Sequence, residues 1–420
     1  MSRFAEPVFI AAGLRTPFGR GGGALAAYDA ISLSVPVVQA MAAQAEPDLL
    51  VWGTVIPNLG WSNIARETWL DAKLNPTVPA FSVVLACSTS MTATFAAAGM
   101  LGGGTDLTMV GGSEVMSRPS IALTADASKR LTDLFAQDAT AALAALQSLT
   151  PRDYVLPTKG WANRITGRTM GDHMEETAKA WRVSRVAQDD WALKSHQRAV
   201  AGWERGFFDD LVISLPELAR DANPRADTSP ERLAALKPAF DRDSGRGTLT
   251  AGNSTPLTDG ASSVLLASEE WAKARGLPVL AYLTYGKTAS VDFVAGEGLL
   301  MAPTVAVARM LADTGLSLQD FDFYEIHEAF AAQVLCTLRA WESDKYCKQR
   351  LGLTQALGRI DPAKLNVKGS SLAFGHPFAA TGGRIVATLA KLLDQRGSGR
   401  GLISVCTAGG MGVVAMLEKN

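Results

Sequence analysis

The sequence predicts a layered α/β protein with buried strands, built from two similar halves and interrupted by a mostly helical insertion. Two observations carry this reading. Through residue 117 short apolar runs alternate with Ala-rich amphipathic segments, and after residue 246 strand-like runs return in the same style. In addition, VVLACSTSMTATFAAAGML leads through a Gly-rich turn to LTMVGGSEVM, while SSLAFGHPFAATGGRIVATLAKLL leads to LISVCTAGGMGVVAML. Each reads as strand, reactive-looking turn, small-residue helix, strand and Gly pair, the pattern a duplicated unit leaves.

The elements follow in order. VFIAAG is a strand, 29–45 an amphipathic helix, and LLVWGTV a second strand. Ser82 to Ala86 is short, β-branched and apolar, as a buried strand is, and Ser88 to Gly99 has the length and small residues of a tightly packed helix. Cys87 falls on the turn between them. LTMVGG is a further strand. Residues 118–246 are richer in charge and Trp and carry helical patterns, notably over 173–206, so they form a helical insertion. Strand signals resume at GTLTAGNSTPLTDGASSVLLAS and continue through PVLAYLTYG, FDFYEI, NVKGSSLAFG and LISVCTAGGMGVVAML. The division is thus a first half over 1–117 completed by about 247–272, an insertion over 118–246, and a second half over 273–420.

With 420 residues the chain can bury a large core without disulfides or metals. Forty basic and forty-one acidic residues leave a net charge of −1, with no polybasic run, which argues against nucleic acid as a main partner. The four cysteines (Cys87, Cys336, Cys347 and Cys406) form no C-x-x-C, so neither a zinc site nor a disulfide framework is expected, and a reducing, cytoplasmic setting fits. No apolar stretch is long enough for a membrane span.

Few residues could do chemistry. At a strand-to-helix turn, unpaired N–H groups and the helix dipole favour a thiolate on Cys87, although a buried inert cysteine is the plainer alternative. His376, in GHPFAATGGR, sits on a Gly-Pro turn that can face a cleft. Cys406 precedes TAGGMG, whose glycines let backbone N–H groups approach a ligand, and a structural cysteine is again the alternative. His327 opens HEAF, which is no zinc helix because Ala331 stands where a second histidine is needed. His173 and His196 lie in the charged insertion and read as surface or packing residues.

ACSTS around Cys87, GNSTPLTDGAS at 252–262, HEAFAAQ at 327–333, GHPFAATGGR at 375–384 and CTAGGMG at 406–412, in that order, resemble the thiolases. The match runs from GLRTPFGR at 13–20 to the C-terminus. HEAF, where many thiolases carry Asn, and GHPFAATG are most similar to the β-subunits of fatty-acid oxidation complexes.

The resemblance implies a five-layer αβαβα sandwich and a 3-ketoacyl-CoA thiolase. Cys87 becomes the acyl-carrying nucleophile, His376 its base, and Cys406 the acid and base that serves the acetyl-CoA carbanion and the incoming CoA. The backbone N–H groups of Cys87 and Ala408 would hold the acyl oxyanion, and His376 with His327 the enolate oxygen. Met170 and Phe330 would line the pantetheine tunnel and Arg225 would face the adenine nucleotide, while Thr169 replaces the histidine often found there. CoA enters as co-substrate, with no permanent cofactor and no metal. The resemblance also implies a homodimer or a dimer of dimers, and leaves an α-subunit partner open. Segment 121–156 reads as a substrate-pocket or oligomer-contact helix rather than a membrane anchor.

Other readings make different demands. An acetoacetyl-CoA thiolase shares the chemistry and differs in pocket depth. A decarboxylating ketoacyl synthase is expected to hold a histidine where Cys406 stands, a Cys-His hydrolase leaves Cys406 idle, and a non-catalytic assembly subunit has no use for the four side chains.

Overall fold

The computed structural model describes residues 3–102, 104–155 and 162–420, with side chains from residue 8 onward at the N-terminus. Its strands are β1 (Arg3–Arg15), β2 (Gly19–Arg20), β3 (Leu49–Gly53), β4 (Ala80–Ser82), β5 (Leu107–Glu114), β6 (Ala122–Leu123), β7 (Tyr154–Val155), β8 (Thr258–Ser268), β9 (Ala281–Ser290), β10 (Phe323–Ile326), β11 (Gly399–Thr407) and β12 (Met411–Lys419).

Hydrogen bonding links most of them in the order β10-β11-β12-β9-β1-β8-β5-β3-β4. The order repeats itself. In the first half β3 runs parallel to β5, β5 antiparallel to β8 and β8 antiparallel to β1. In the second, β10 runs parallel to β11, β11 antiparallel to β12 and β12 antiparallel to β9. The halves meet where β1 and β9 pair, Phe9 opposite Tyr282.

Three apolar clusters define the layers. The central one joins Met91 and Ala97 of helix Thr89–Ala98 and Ile385, Leu389 and Leu393 of helix Thr381–Arg396 to both halves of the sheet, through Val51 and Val264 on one side and Ile403 and Val413 on the other. An outer cluster packs helices Ala30–Ala42 and Ile64–Asp71 on the first half around Trp52. Another packs helices Ala302–Thr314 and Ala331–Glu342 on the second around Tyr324. The result is the αβαβα sandwich, in which both central helices are covered from either side. Gly382 permits their close approach, because a Cβ there would lie 2.7 Å from the Met91 side chain.

Residues 118–246 carry helices at Ala125–Gln137, Ala139–Leu146, Met170–Ala180, Arg185–Glu204 and Pro230–Ala234 and the small β6–β7 ladder, and much of the rest is loop. This insertion is pinned to the first half by Arg15, whose guanidinium meets Asp221 in two bonds of 2.5 and 2.7 Å while Phe18 N and Trp203 Nε1 also donate to that carboxylate. Both ionic side chains are buried, and a buried pair is tolerable only when its polar atoms are satisfied in this way.

Three local expectations are corrected. NVKGSSLAFG is not a strand; after a loop, Ser371–Phe374 makes one helical turn, because Ser370 accepts the N–H groups of Ala373 and Phe374. The strand expected over 82–86 is Ala80–Ser82 instead, and Val84 turns outward, 62% exposed. The helical pattern over 173–206 divides at Arg182, whose φ of 53° ends the first helix.

Candidate active site

Cys87 sits in a one-turn 3-10 helix, Ala86–Ser88, immediately ahead of helix Thr89–Ala98. Ala86 holds φ at 41°, a left-handed conformation that an L-residue adopts only under strain. The turn is clamped by Thr89 Oγ1, which accepts from Leu85 N at 2.9 Å and donates to Ala86 O at 2.8 Å. Gly53 makes room for it, since a Cβ there would come within 2.2 Å of Val83 O.

Three further segments converge on this turn. Thr407, at the end of β11, shares a 2.5 Å hydrogen bond with Ser88 Oγ, which joins the Cys87 turn to the strand end that carries Cys406. Beyond it the backbone turns with φ of 81° at Gly409 and 73° at Gly410, and the Ala408 N–H is presented to the Cys87 sulfur, as is Cys87's own N–H. His376 follows Gly375, where a φ of 95° and a Cβ that would come within 2.2 Å of the Thr258 side chain exclude any other residue. His327 follows β10, its N–H bonded to Ser404 O of the Cys406 strand at 2.9 Å.

The two imidazoles lie 4.3 Å apart, centre to centre. His376 Nδ1 is 2.6 Å from Thr381 Oγ1 and His327 Nδ1 is 2.8 Å from Ser371 Oγ, so each ring is held by one nitrogen. Each Nε2 is buried and unpartnered. One ring nitrogen of each histidine and the Cys87 sulfur all lie within 4.8 Å of one another, a grouping also compatible with a metal ion.

Burial sets the resting protonation. The Cys87 thiol is pushed up to about 11 by desolvation and the Ala408 and Cys87 N–H groups recover only part of that. The helix-start effect expected to favour a thiolate is therefore outweighed. Cys406 is raised well above the ordinary thiol range by burial and by Cys87. His376 is lowered to about 3, and His327 well below the ordinary range, by burial and the nearby Arg384 charge. The resting site thus holds neutral thiols and neutral imidazoles. Without ligand, alkylation of Cys87 by iodoacetamide is expected to quicken about tenfold per pH unit from pH 7 to 10, because the thiolate fraction grows that way below a pKa of about 11. Peptide-resolved labelling rates that stay flat from pH 6 upward would reveal a standing thiolate–imidazolium pair instead.

A cavity of about 570 Å³ opens onto Cys87 and His376 and is walled by Met170, Phe240, Leu300, Phe330, Phe378 and Ala408. His327 and Cys406, both 0% exposed, lie behind that wall. A second cavity of about 640 Å³ adjoins it through Ala251, Ser254, Thr255 and Leu257 and holds Arg20, Arg225 and Arg232. Arg225 therefore belongs to a cationic outer chamber and Met170 and Phe330 to an apolar inner one. Thr169 reaches the inner wall, yet its hydroxyl accepts Asp172 N in a helix cap. Among the described residues neither chamber is lined by segment 121–155, which leaves Ile121, Phe135 and Leu143 exposed; residue 156 lies outside the described residues.

Sequence reasoning missed several contributors. Glu114, at the end of β5, accepts from Val55 N, Ile56 N and Thr54 Oγ1 and so holds the loop that gives Val55 to the inner wall. Thr381 was legible as the one hydroxyl between His376 and Gly382 in its motif. His196, read as a surface or packing residue, is buried and accepts Arg225 N at 3.2 Å on the wall of the outer chamber.

Comparison with known proteins agrees over the whole length. Residues 8–270 match the family model described as thiolase, N-terminal domain, and 277–419 that described as thiolase, C-terminal domain. Curated 3-ketoacyl-CoA thiolases of Yersinia pestis (strain Pestoides F) and Yersinia pseudotuberculosis (serotype O:1b) are 37% identical, the alignment covering 100% of this chain and 98% of theirs. Among solved structures, the Bacillus anthracis acetyl-CoA acetyltransferase superposes with a TM-score of 0.83 at 32% identity, covering 98% of each chain. Human mitochondrial 3-ketoacyl-CoA thiolase and an Ascaris suum thiolase in complex with coenzyme A each give 0.81 at 26% identity, covering 99% of this chain and 100% of theirs.

Proposed function

This chain belongs to the thiolase family of acyltransferases, and we propose that Cys87, His376, Cys406 and His327 carry the cleavage of a 3-ketoacyl-CoA by CoA. The observation that carries the proposal is the convergence of Cys87, His376 and the Ala408 N–H on the wall of an apolar cavity, with the His327 ring 4.3 Å behind that of His376.

The thiolase family membership and the arrangement of these groups support the following steps. His376 Nε2 takes the Cys87 proton as the sulfur attacks the 3-keto carbon, and the Cys87 and Ala408 N–H groups hold the oxygen that becomes anionic. The Cα–Cβ bond then breaks. The acyl group stays on sulfur, and the enolate of acetyl-CoA leaves, its oxygen held between protonated His376 and His327. Cys406 gives its proton to the enolate carbon, and acetyl-CoA departs. The Cys406 thiolate next takes the thiol proton of an entering CoA, whose sulfur attacks the acyl-cysteine. Cys87 leaves as a thiolate and recovers its proton from His376, which returns every group to its starting state.

The same reading assigns the two chambers. Met170 and Phe330 guide the pantetheine arm towards Cys87, and Arg225 meets the nucleotide phosphates or adenine in the outer chamber. A neutral resting site suits this order of events. The thiolate appears when substrate can use it rather than standing exposed to other electrophiles.

Intact-protein mass spectrometry after brief mixing with short, medium and long 3-ketoacyl-CoAs tests the reading. The expected result is a mass increase matching each shortened acyl chain, absent in Cys87→Ala. Adducts from acetoacetyl-CoA alone would instead make the protein an acetoacetyl-CoA thiolase, and no adduct with any chain would remove the acyl-cysteine mechanism.

A further inference from the structure

We propose that Ser371, held by Arg384, is a positioning residue that locks His327 in the tautomer with its proton on Nε2, so that it can only donate towards the reacting centre. The inference deepens the thiolase reading and rests on it for its catalytic meaning.

The argument is one of hydrogen-bond bookkeeping around a single hydroxyl. Ser371 Oγ is fully buried and receives Arg384 Nη2 at 3.0 Å, and a guanidinium can only donate. The same oxygen lies 2.8 Å from His327 Nδ1. A serine hydroxyl has one proton to give, and among the described residues His327 Nδ1 is its one acceptor. A proton on Nδ1 would point two N–H groups at one oxygen and leave the hydroxyl proton buried with no acceptor. Nδ1 therefore accepts, and the ring proton of His327 is on Nε2, the nitrogen that has no partner in the resting site.

Arg384 is held through one nitrogen, its Nε and Nη1 being buried without a hydrogen-bond partner among the described residues. Its Nη2 also reaches Ser370 Oγ at 3.2 Å, and its plane lies over Phe374, 5.7 Å from the ring centre. Its charge adds to burial in keeping both imidazoles neutral, so each ring carries one proton and the question is which nitrogen holds it. Glu325, Glu328 and Asp221 are the carboxyl groups whose fields reach Arg384, and the Arg15 charge opposes them.

His376 is held differently. Its Nδ1 faces Thr381 Oγ1 at 2.6 Å, and among the described residues no guanidinium or ammonium donates to that hydroxyl. The threonine can give or take a proton, so His376 is free to present a bare Nε2 and to change its state during the cycle. Two adjacent histidines are thereby made chemically unequal. His327 is a fixed donor for an oxyanion, and His376 is an exchangeable base.

The test uses the full chain labelled with 15N-histidine. Four histidines produce at most four ring systems, and those of His327 and His376 are identified by their disappearance in His327→Gln and His376→Gln. In the resting protein His327 should show a protonated-type Nε2 and a bare-type Nδ1. Ser371→Ala should replace that pattern by a mixture of tautomers and lower kcat roughly tenfold, part of the loss expected for a missing oxyanion donor, with KM for CoA within about twofold. Ser371→Thr should restore both. A His327 protonated at Nδ1 in the unaltered protein, an unchanged pattern in Ser371→Ala, or a tautomer mixture with undiminished kcat would each overturn the proposal. The tautomer is read without substrate, so loss of the lock is distinguishable from failure of the thiolase reading.

Discussion

Alanine in place of Cys87 should lower thiolytic turnover by about 10⁴-fold or more and leave the fold in place. The sulfur is the atom on which three arrangements converge: the strained Ala86 turn that delivers it, the Ala408 N–H presented by the β11–β12 connection, and one ring nitrogen of each histidine within 4.8 Å. None of these can work on a methyl group. The substitution removes one buried atom and no charged partner, so a change in thermal midpoint of only a few degrees is expected. Steady-state thiolysis together with a melting curve checks both halves of the forecast. Retention of more than about one per cent of the turnover in a folded Cys87→Ala protein would mean that another group carries the acyl chain.

Cys406→Ala should separate proton transfer at carbon from the reactivity of Cys87. Cys406 is fully buried, lies on the strand that ends beside the Cys87 turn, and is raised well above the ordinary thiol range by burial and by Cys87 itself. A thiol so placed keeps its proton until a carbanion beside it demands one, which is what an acid at carbon must do. Overall turnover should fall about 10²- to 10⁴-fold. The unaltered protein should exchange the methyl protons of acetyl-CoA with deuterated water, and the variant should not, while iodoacetamide still labels Cys87 at its former rate. Continued deuterium exchange by the variant would assign the carbon acid to a different residue. Full turnover by Cys406→Ser on a simple thioester would favour hydrolysis, for which this cysteine has no task.

Much of the architecture was legible because it rests on patterns local in sequence. The alternation of apolar runs with small-residue helices located β3, β5, β9, β10 and the β11–β12 pair, and the echo between the two halves anticipated the repeated strand order. Where reading by pattern failed, a tertiary neighbour decided. NVKGSSLAFG has strand-like residues, yet the chain makes a helical turn at Ser371–Phe374, where Ser371 Oγ meets His327 and Arg384. The helical run over 173–206 has no Gly or Pro before Gly202, yet it divides at Arg182 and restarts with Ser184 as the N-cap of the second helix, and both helices pack against helix Ala331–Glu342.

The chemistry divides the same way. Side-chain identity at Cys87, His327, His376 and Cys406, and the glycines and alanines that leave backbone N–H groups accessible beside them, stand in the sequence, and with them the kind of reaction available. The protonation of those groups does not. A helix start favours a thiolate, but the same cysteine lies 8% exposed beneath both halves of the sandwich, and the cost of desolvating a charge exceeds what two N–H groups return. Nor does any local pattern foretell that Arg384, eight residues beyond His376 in sequence, acts on His327 through Ser371. Residue type is a local property, whereas solvation and hydrogen-bond partnership belong to whatever the folded chain brings within a few ångströms, and here that was assembled from segments as much as 319 residues apart.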